Sequence, residues 1–301
     1  MSENPKVFVH VMGGLGNQMF QYAASRALAI RNGADLHLDT WSGFTRDKVF
    51  KRSYELAALP IRARVASRIA RIPFWYERLN EKFFAAPTDL ISRRWWGTYI
   101  REVAQQYYDE IAGFRSRRSV WFHGHWQCES YFEEFRDQIA EELLPPKPME
   151  ANFQRVAELV DSTNSVAVGI RLFEEMPGSS KAGVGGLTEL DFYARAASKL
   201  STNVSNPVFF VFSSKMSPRL QSIELPGPVH HITADNGFAD ATKSLWILSK
   251  CKHHIISNSS FYWWGAWLAE YQRPQTRIIA SNRFANRTTI PSRWDSWSAP
   301  Y

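Results

Sequence analysis

The apolar positions of this chain change period several times, and the changes mark its elements. Lys6-Val-Phe-Val-His-Val-Met12 is a short apolar, β-branched run that stops at Gly13-Gly14, and an alanine-rich segment with helical spacing follows from Gln18 to Ile30. This predicts strand, glycine turn, helix. Ala34-Asp-Leu-His-Leu-Asp39 alternates like a second strand, so the opening unit reads β-loop-α-β, the start of a parallel sheet. The pattern restarts later. Ser165-Val-Ala-Val-Gly-Ile170 reads as a strand entering a loop, Leu190 to Leu200 as a helix, Val208-Phe-Phe-Val-Phe212 as a buried strand and His253-His-Ile-Ile-Ser257 as another. Between the halves lies Leu143-Leu-Pro-Pro-Lys-Pro148, whose prolines suit a linker. The expected organisation is an α/β chain of two Rossmann-like domains, 1–148 and 149–301, facing across a cleft. Ligands in such sheets bind at strand C-terminal ends.

A third pattern is basic and amphipathic. In the segment Arg62 to Ile72 the apolar Val65, Ile69 and Ile72 fall at i, i+4 and i+7, opposite Arg62, Arg64 and Arg71. Residues 46–118 hold 16 Lys and Arg against 8 Asp and Glu, a balance of +8 where the whole chain has +7. The basic character is therefore local, and it is interleaved with Phe74, Trp75, Tyr76, Phe83, Phe84, Trp95, Trp96 and Tyr99. Two readings stand: a helix that covers a core with its aromatics packed inward, or a segment, 62–84, that lies on an anionic membrane surface. Elsewhere composition mainly excludes. With 45% hydrophobic and 22% charged residues over 301 positions, disorder and fibrous repeats are ruled out. Cys128 and Cys251 lack the spacing of a thiolate metal site and suit a reducing compartment. With no signal-like start and no apolar run near 18 residues, the expected location is cytoplasmic, with the basic segment suited to the inner face of a membrane.

Two segments carry chemistry. Gly13-Gly-Leu-Gly-Asn-Gln18 sits between strand and helix, where glycines admit close backbone approach and a helix N-terminus presents amides, so it can cradle an anion or simply turn tightly. It is neither the dinucleotide fingerprint nor a P-loop. In the second, a buried strand runs into Ser257-Asn-Ser-Ser260, a cluster of hydroxyls and an amide suited to phosphate, ahead of a helix in which Trp263, Trp264 and Trp267 form one apolar face.

Gly13-Gly-Leu-Gly-Asn-Gln-Met-Phe-Gln-Tyr-Ala23, Gly124-His-Trp-Gln-Cys-Glu-Ser-Tyr-Phe132 and Cys251-Lys-His-His-Ile-Ile-Ser-Asn-Ser-Ser-Phe-Tyr-Trp-Trp-Gly-Ala-Trp-Leu268 together resemble, in order, the signatures of glycosyltransferase family 11, the α-1,2-fucosyltransferases. The resemblance implies a GT-B-type fold and inverting, metal-independent transfer of fucose from GDP-β-L-fucose to a galactose hydroxyl. It further implies a donor held mainly by the second half, with the Gly13 loop reaching its pyrophosphate. In the family the stretch after the first strand of the second half typically reads His-x-Arg-Arg-x-Asp; here it reads Gly169-Ile-Arg-Leu-Phe-Glu174. Arg171 is retained and can stabilise the leaving diphosphate. Ser244 stands where the family usually has an acid beside guanine, and Asp240 lies one turn earlier.

The site expected from these residues has Arg171, Glu174 and Glu175 in catalysis, the two acids following Arg171 as candidates for the base that deprotonates the acceptor hydroxyl. Gly13, Gly14, Gly16, Asn17, Gln18, Asp240, Ser244, Ser257, Asn258, Ser259 and Ser260 are expected at the donor, and His123, His125 and Trp126 at the acceptor. Asp39 is a second candidate acid at a strand end, or a turn cap; Asp191 with Thr188 reads as helix capping. No metal and no other cofactor are expected. The adjacent pairs His230-His231 and His253-His254 point to opposite strand faces, and no Asp-x-Asp is present. The expected partners are a nucleotide sugar and a glycan acceptor of a lipid-linked or surface-polysaccharide kind, with no nucleic acid. An altered donor base or sugar, or a descendant that binds without turnover, are the alternatives.

Overall fold

The computed structural model describes residues 4–45, 47–48, 50–83, 89–171 and 188–297. The chain divides into two compact units, Met1–Leu143 and Leu144–Tyr301, so the division precedes Pro145, Pro146 and Pro148 rather than following them.

In the first unit, β1 (Lys6–His10) leads through the glycine turn into α1 (Leu15–Arg31) and back to β2 (Asp35–Asp39), parallel to β1 in the register Lys6↔Asp35 to His10↔Asp39. Then come β3 (Arg64–Val65), α2 (Ile72–Phe83), β4 (Ile91–Arg94), β5 (Gly97–Arg101), α3 (Asp109–Ala112), β6 (Val120–His123) and α4 (Arg136–Leu143). The sheet order is β3-β2-β1-β6-β5-β4, parallel except for the β4–β5 hairpin. Val7, Val9, Leu36, Leu38 and Phe122 are buried, as strands covered on both faces require. Helix α1 is tied to α4 by a buried cluster: Glu142 accepts from the Tyr22 hydroxyl at 2.5 Å and from Arg26 at 2.9 Å. Because Arg26 and Tyr22 hydrogen-bond to it, the Glu142 carboxyl is held below its ordinary range despite burial.

The second unit begins with α5 (Ala151–Ser162) and β7 (Asn164–Gly169), then α6 (Leu190–Ser201), β8 (Pro207–Phe212), α7 (Pro218–Gln221), β9 (Val229–Ile232), α8 (Ala241–Lys250), β10 (His253–Ile256), α9 (Ser260–Gln272), β11 (Ile278–Ser281) and β12 (Asp295–Trp297). The order is β12-β11-β10-β7-β8-β9, with every described pairing parallel. Phe192, Tyr193 and Ala196 of α6 pack with Val166, Val168, Phe209 and Ile255. Trp263, Trp264 and Trp267 of α9 are fully buried, which matches the apolar face read from their spacing.

The segment 62–72 departs from expectation. It is not one helix: Arg64–Val65 is an edge strand paired with His37 and Leu38, Ile69–Arg71 is a 3-10 turn, and the α-helix starts only at Ile72. Pairing of Arg64 and Val65 with the edge of β2 takes those residues out of a helix, and Pro73 fixes where the following helix can begin. A proline tolerates the first turn of a helix, but in a helix running through from 62 its ring would clash with the carbonyl of Ile69. Cys128 and Cys251 are both buried and free.

Candidate active site

Each sheet has one place where its strand order reverses, between β1 and β6 in the first unit and between β10 and β7 in the second. Chains leaving neighbouring strands there diverge and open a crevice at the carboxyl ends. Arg171 and the Ser257-Asn-Ser-Ser260 cluster follow the strands at one of these points, and the Gly13 loop and His123 those at the other.

In the second unit, Arg171 follows β7 and Ser257-Asn-Ser-Ser260 follows β10, the Ser257 amide donating to the Gly169 carbonyl at 3.1 Å. Ser259 is the N-cap residue of α9 in extended conformation, and its hydroxyl does not close the helix end. The four residues therefore form the rim of a helix N-terminus, where amide dipoles favour an anion. Thr188 joins them. It was expected to cap α6 with Asp191, but its hydroxyl lies 3.2 Å from Asn258 Oδ1 and 3.0 Å from Ser281 Oγ, while Asp191 pairs with Arg195 at 2.8 Å in solvent. Beneath lies Tyr193, fully buried, its hydroxyl near Ser257, Thr188 and the Arg171 backbone; burial raises its pKa far above the ordinary value, so it stays protonated. Thr188, Tyr193 and Ser281 were missed because their only signal is spatial: they reach the cluster from three other segments.

The structure leaves no room for a side chain at Gly169, where the resemblance leads to the expectation of histidine. The ring of Tyr262 lies against Gly169, so that a Cβ there would meet Tyr262 Cγ at 2.4 Å. The Tyr262 hydroxyl reaches the carbonyls of Ile170 and Phe212 at 3.1 and 3.0 Å. The space beside Gly169 is thus filled from α9, by a side chain whose polar atom is already satisfied. Asp240 and Ser244, expected beside the base, are committed to local structure. Asp240 caps α8 by accepting from the Lys243 amide at 3.0 Å, and Ser244 donates to the Phe238 carbonyl at 3.0 Å. Glu174 and Glu175 lie outside the described residues.

In the first unit, Gly13 has φ +78°, a left-handed conformation that favours glycine, and a Cβ there would meet Asn17 Nδ2 at 2.8 Å. Gly14 is the N-cap residue of α1 and brings no side chain to it; the Arg52 guanidinium carbon stands 3.7 Å from where its Cβ would be. Gly16 is buried in the first turn, and Asn17 accepts from Gln127 at 2.9 Å. Gln18 requires a correction. It is fully buried, its amide donating to the carbonyls of Gly13 and Ser53 at 2.8 Å each and accepting from the Glu55 amide at 2.9 Å. It clamps the loop rather than reaching a ligand. Arg52 was missed, since nothing in a lone arginine 38 positions after Gly14 signals proximity.

Beside the same reversal a cavity of about 440 Å³ is lined by His10, Met12, Ser42, Gly43, Thr45, Asp47, Phe74, Trp75, Arg78, Tyr99 and His123. His123, at the end of β6, shares a 2.8 Å hydrogen bond through Nδ1 with the Tyr99 hydroxyl, and the His10 ring meets it edge-on at 4.7 Å. Burial lowers the pKa of His10 against the opposing pull of Asp39, and burial with neighbouring His10 and His125 lowers that of His123 further. Both are neutral at pH 7, so each ring offers one donor and one acceptor. His125 has its amide on Glu102 at 2.6 Å and does not line this cavity. Trp126 is corrected: it is fully buried, stacked on Phe122 at 4.1 Å, with its own φ at +53°. It shapes the turn, and its indole does not line this cavity. Asp39 takes the capping role, its Oδ1 accepting from the amides of Trp41 and Ser42 and facing Arg71 Nε at 3.3 Å.

Among the described residues no three His, Cys, Asp or Glu side chains gather in metal-holding geometry, and no helix is long and apolar enough to cross a membrane.

The model of the family described as "Glycosyl transferase family 11" matches residues 6–290. Over 278 residues the chain is 30% identical to an alpha-1,2-colitosyltransferase of Escherichia coli, covering 88% of each chain. It is 22% identical to the E. coli O-antigen biosynthesis glycosyltransferase WbnK, covering 95% of this chain and 97% of that one. A galactoside alpha-(1,2)-fucosyltransferase 2 of Pongo pygmaeus is 23% identical over 87% of this chain and 68% of its own. Among solved structures, the fucosyltransferase NodZ from Bradyrhizobium superposes with a TM-score of 0.50 at 15% identity, covering 88% of this chain and 93% of its own. That likeness bears on the fold alone.

Proposed function

The chain belongs to glycosyltransferase family 11, and we propose that it transfers fucose from GDP-fucose, with inversion and without a metal, to a hydroxyl of a glycan acceptor, the galactose 2-hydroxyl by family resemblance. The observation that carries the reading is the convergence at the β7/β10 reversal. Arg171 follows the end of β7, and the neighbouring strand β10 leads into a helix N-terminus rimmed by Ser257, Asn258, Ser259 and Ser260. Such a set suits a diphosphate leaving group. Charge accumulates on its oxygens as the glycosidic bond breaks, and a planar, two-pronged cation with preorganised donors stabilises that charge more than the ground state. Glu174 and Glu175 remain the proposed base, taking the proton of the attacking hydroxyl. The acceptor sugar fits the cavity of the first unit. Phe74, Trp75 and Tyr99 offer ring faces to its C–H surfaces, and the neutral imidazoles of His10 and His123 serve its hydroxyls.

A second reading of the donor sugar rests on the 30% identity to a colitosyltransferase: the same nucleotide carrying colitose, the 3-deoxy counterpart of fucose. Calorimetric titration with GDP, UDP, ADP, CMP and TDP, followed by turnover with GDP-fucose and GDP-colitose, tests both. Exclusive binding of GDP with turnover of one of the two sugars is expected. Tight binding of another nucleotide moves the function to another donor, and no binding at all overturns the reading in favour of a protein that holds a glycan or partner without turnover. In the same assay Arg171→Ala lowers turnover by about 10²–10³-fold with the melting temperature unchanged, and Arg171→Lys recovers little of it.

A further inference from the structure

The first unit carries a surface that is inside out. Between residues 64 and 79 the side chains turned toward the sheet are Ala66, Ala70, Phe74 and Glu77, the first three packing with Phe8, Tyr99 and Trp121. The larger apolar side chains face solvent instead: Val65, Ile69, Ile72, Trp75, Tyr76 and Leu79, from 41% exposed at Trp75 to 77% at Ile69. Trp41, half exposed, extends the patch, since it lines one cleft with Arg68, Arg71, Ile72 and Trp75. A contiguous apolar face of this kind on a chain with a well-formed core marks a docking surface.

Charge identifies the occupant. Residues 61–79 contain five arginines and one acid, Glu77. That acid is turned inward and held by Arg94 at 2.7 Å, while Arg62, Arg64, Arg68 and Arg78 are exposed. The outward face of the segment therefore combines aliphatic side chains, a tryptophan and a tyrosine with cations, and the carboxylates facing those cations, Asp35 at Arg64 and Glu142 at Arg62, each 3.7 Å away, come from outside the segment. A second copy of this face would meet like charge. An anionic bilayer meets both requirements, with lipid phosphates for the guanidiniums and the headgroup boundary for Trp75 and Tyr76.

We propose that residues 64–79, with Trp41, dock the first unit onto an anionic phospholipid bilayer, the apolar side chains entering the headgroup boundary and the arginines pairing with phosphates. Phe74, Trp75 and Arg78 of the same segment also line the 440 Å³ cavity. Docking brings that cavity to the membrane surface, where a glycan carried on a lipid enters it without leaving the bilayer. This last step rests on reading the cavity as the acceptor site; the bilayer contact does not.

The test is flotation of the full chain with phosphatidylcholine vesicles, with and without about 30 mol% phosphatidylglycerol. Binding at least about tenfold tighter to the anionic vesicles is expected, weakening in about 0.5 M salt. The double variant Ile69→Glu, Leu79→Glu loses that binding by at least about tenfold, with its melting temperature and GDP titration unchanged. Met149→Glu, an exposed apolar site in the second unit, binds vesicles like the parent. Equal binding to neutral vesicles, no binding to anionic ones, or equal loss in Met149→Glu overturns the proposal. So does a concentration-dependent dimer that Ile69→Glu dissolves, which assigns the face to a second copy. Vesicle binding is read without donor or acceptor, so its failure leaves the nucleotide reading standing, and failure of GDP to bind leaves the bilayer contact standing.

Discussion

Helices α9 and α2 are the aromatic helices of the two units, and they use their aromatic residues in opposite ways. Tyr262, Trp263, Trp264, Trp267 and Leu268 of α9 are all buried, whereas Ile72, Trp75, Tyr76 and Leu79 of α2 face outward and, among its described side chains, Pro73, Phe74 and Glu77 turn in. The difference lies in the neighbours. Helix α9 has α8 pressed so closely that a Cβ at Gly265 would meet Leu248 Cδ2 at 2.0 Å, and the Trp263 indole donates to the Thr289 carbonyl at 2.7 Å. Among the described residues, α2 meets its sheet through Phe74, with Glu77 paired to Arg94, and its outer side chains are left exposed. An apolar helical pattern thus states that a face avoids water, not which partner relieves it.

The contrast breaks first if α9 proves dispensable. Trp264→Ala should cost about 3–5 kcal/mol in urea unfolding, the range for emptying a packed aromatic site; a loss under 1 kcal/mol would place α9 with α2. A pH titration sharpens the same point. Burial holds His254 at about 3 and His253 at about 4, below the ordinary 6.5, so the unfolded chain binds more protons across that window. The associated stability is complete above about pH 6.5 and is lost as pH falls toward 3. From His254 alone the loss at pH 4 is on the order of 3 kcal/mol, read as a falling urea midpoint. Gly265→Ala, which drives a methyl into Leu248, should cost about 1–3 kcal/mol in the same unfolding measurement; a neutral result would mean that the α8–α9 contact is loose. Ile69→Ser and Leu79→Ser on the outer face should change stability by no more than about 0.5 kcal/mol. A larger loss would show those side chains to be core after all.

Much of this was legible in the sequence, because it is local. The change from β-branched runs to alanine-rich spacing marks β1, α1 and β2 to within a few residues, and the glycine and serine clusters mark the strand ends where both sheets reverse order. What was not legible is tertiary. The spacing of Val65, Ile69 and Ile72 suggests one helix, yet Val65 pairs with Leu38 at the sheet edge, Ile69 lies in a 3-10 turn and only Ile72 is α-helical, and all three face outward while Ala66 and Ala70 turn in. Gln18 belongs to a motif and still spends its amide on backbone 35 and 37 residues away. Thr188 reads as a cap from its neighbours but bonds to Asn258, 70 positions on.

The Tyr262 ring against Gly169 constrains the order in which this chain can change. Restoring the histidine typical of the family at position 169 in one step sets a Cβ 2.4 Å from the ring, so Tyr262 must first give way to a smaller residue. That earlier step is itself costly, since it strips the carbonyls of Ile170 and Phe212 of their shared hydroxyl and leaves a hollow under the strand end. The two positions, 93 apart in the chain, are coupled: a histidine at 169 demands either a simultaneous double replacement or passage through a weakened intermediate. Directed evolution that samples single substitutions therefore rebuilds nucleotide contacts around the glycine more readily than it installs a histidine there.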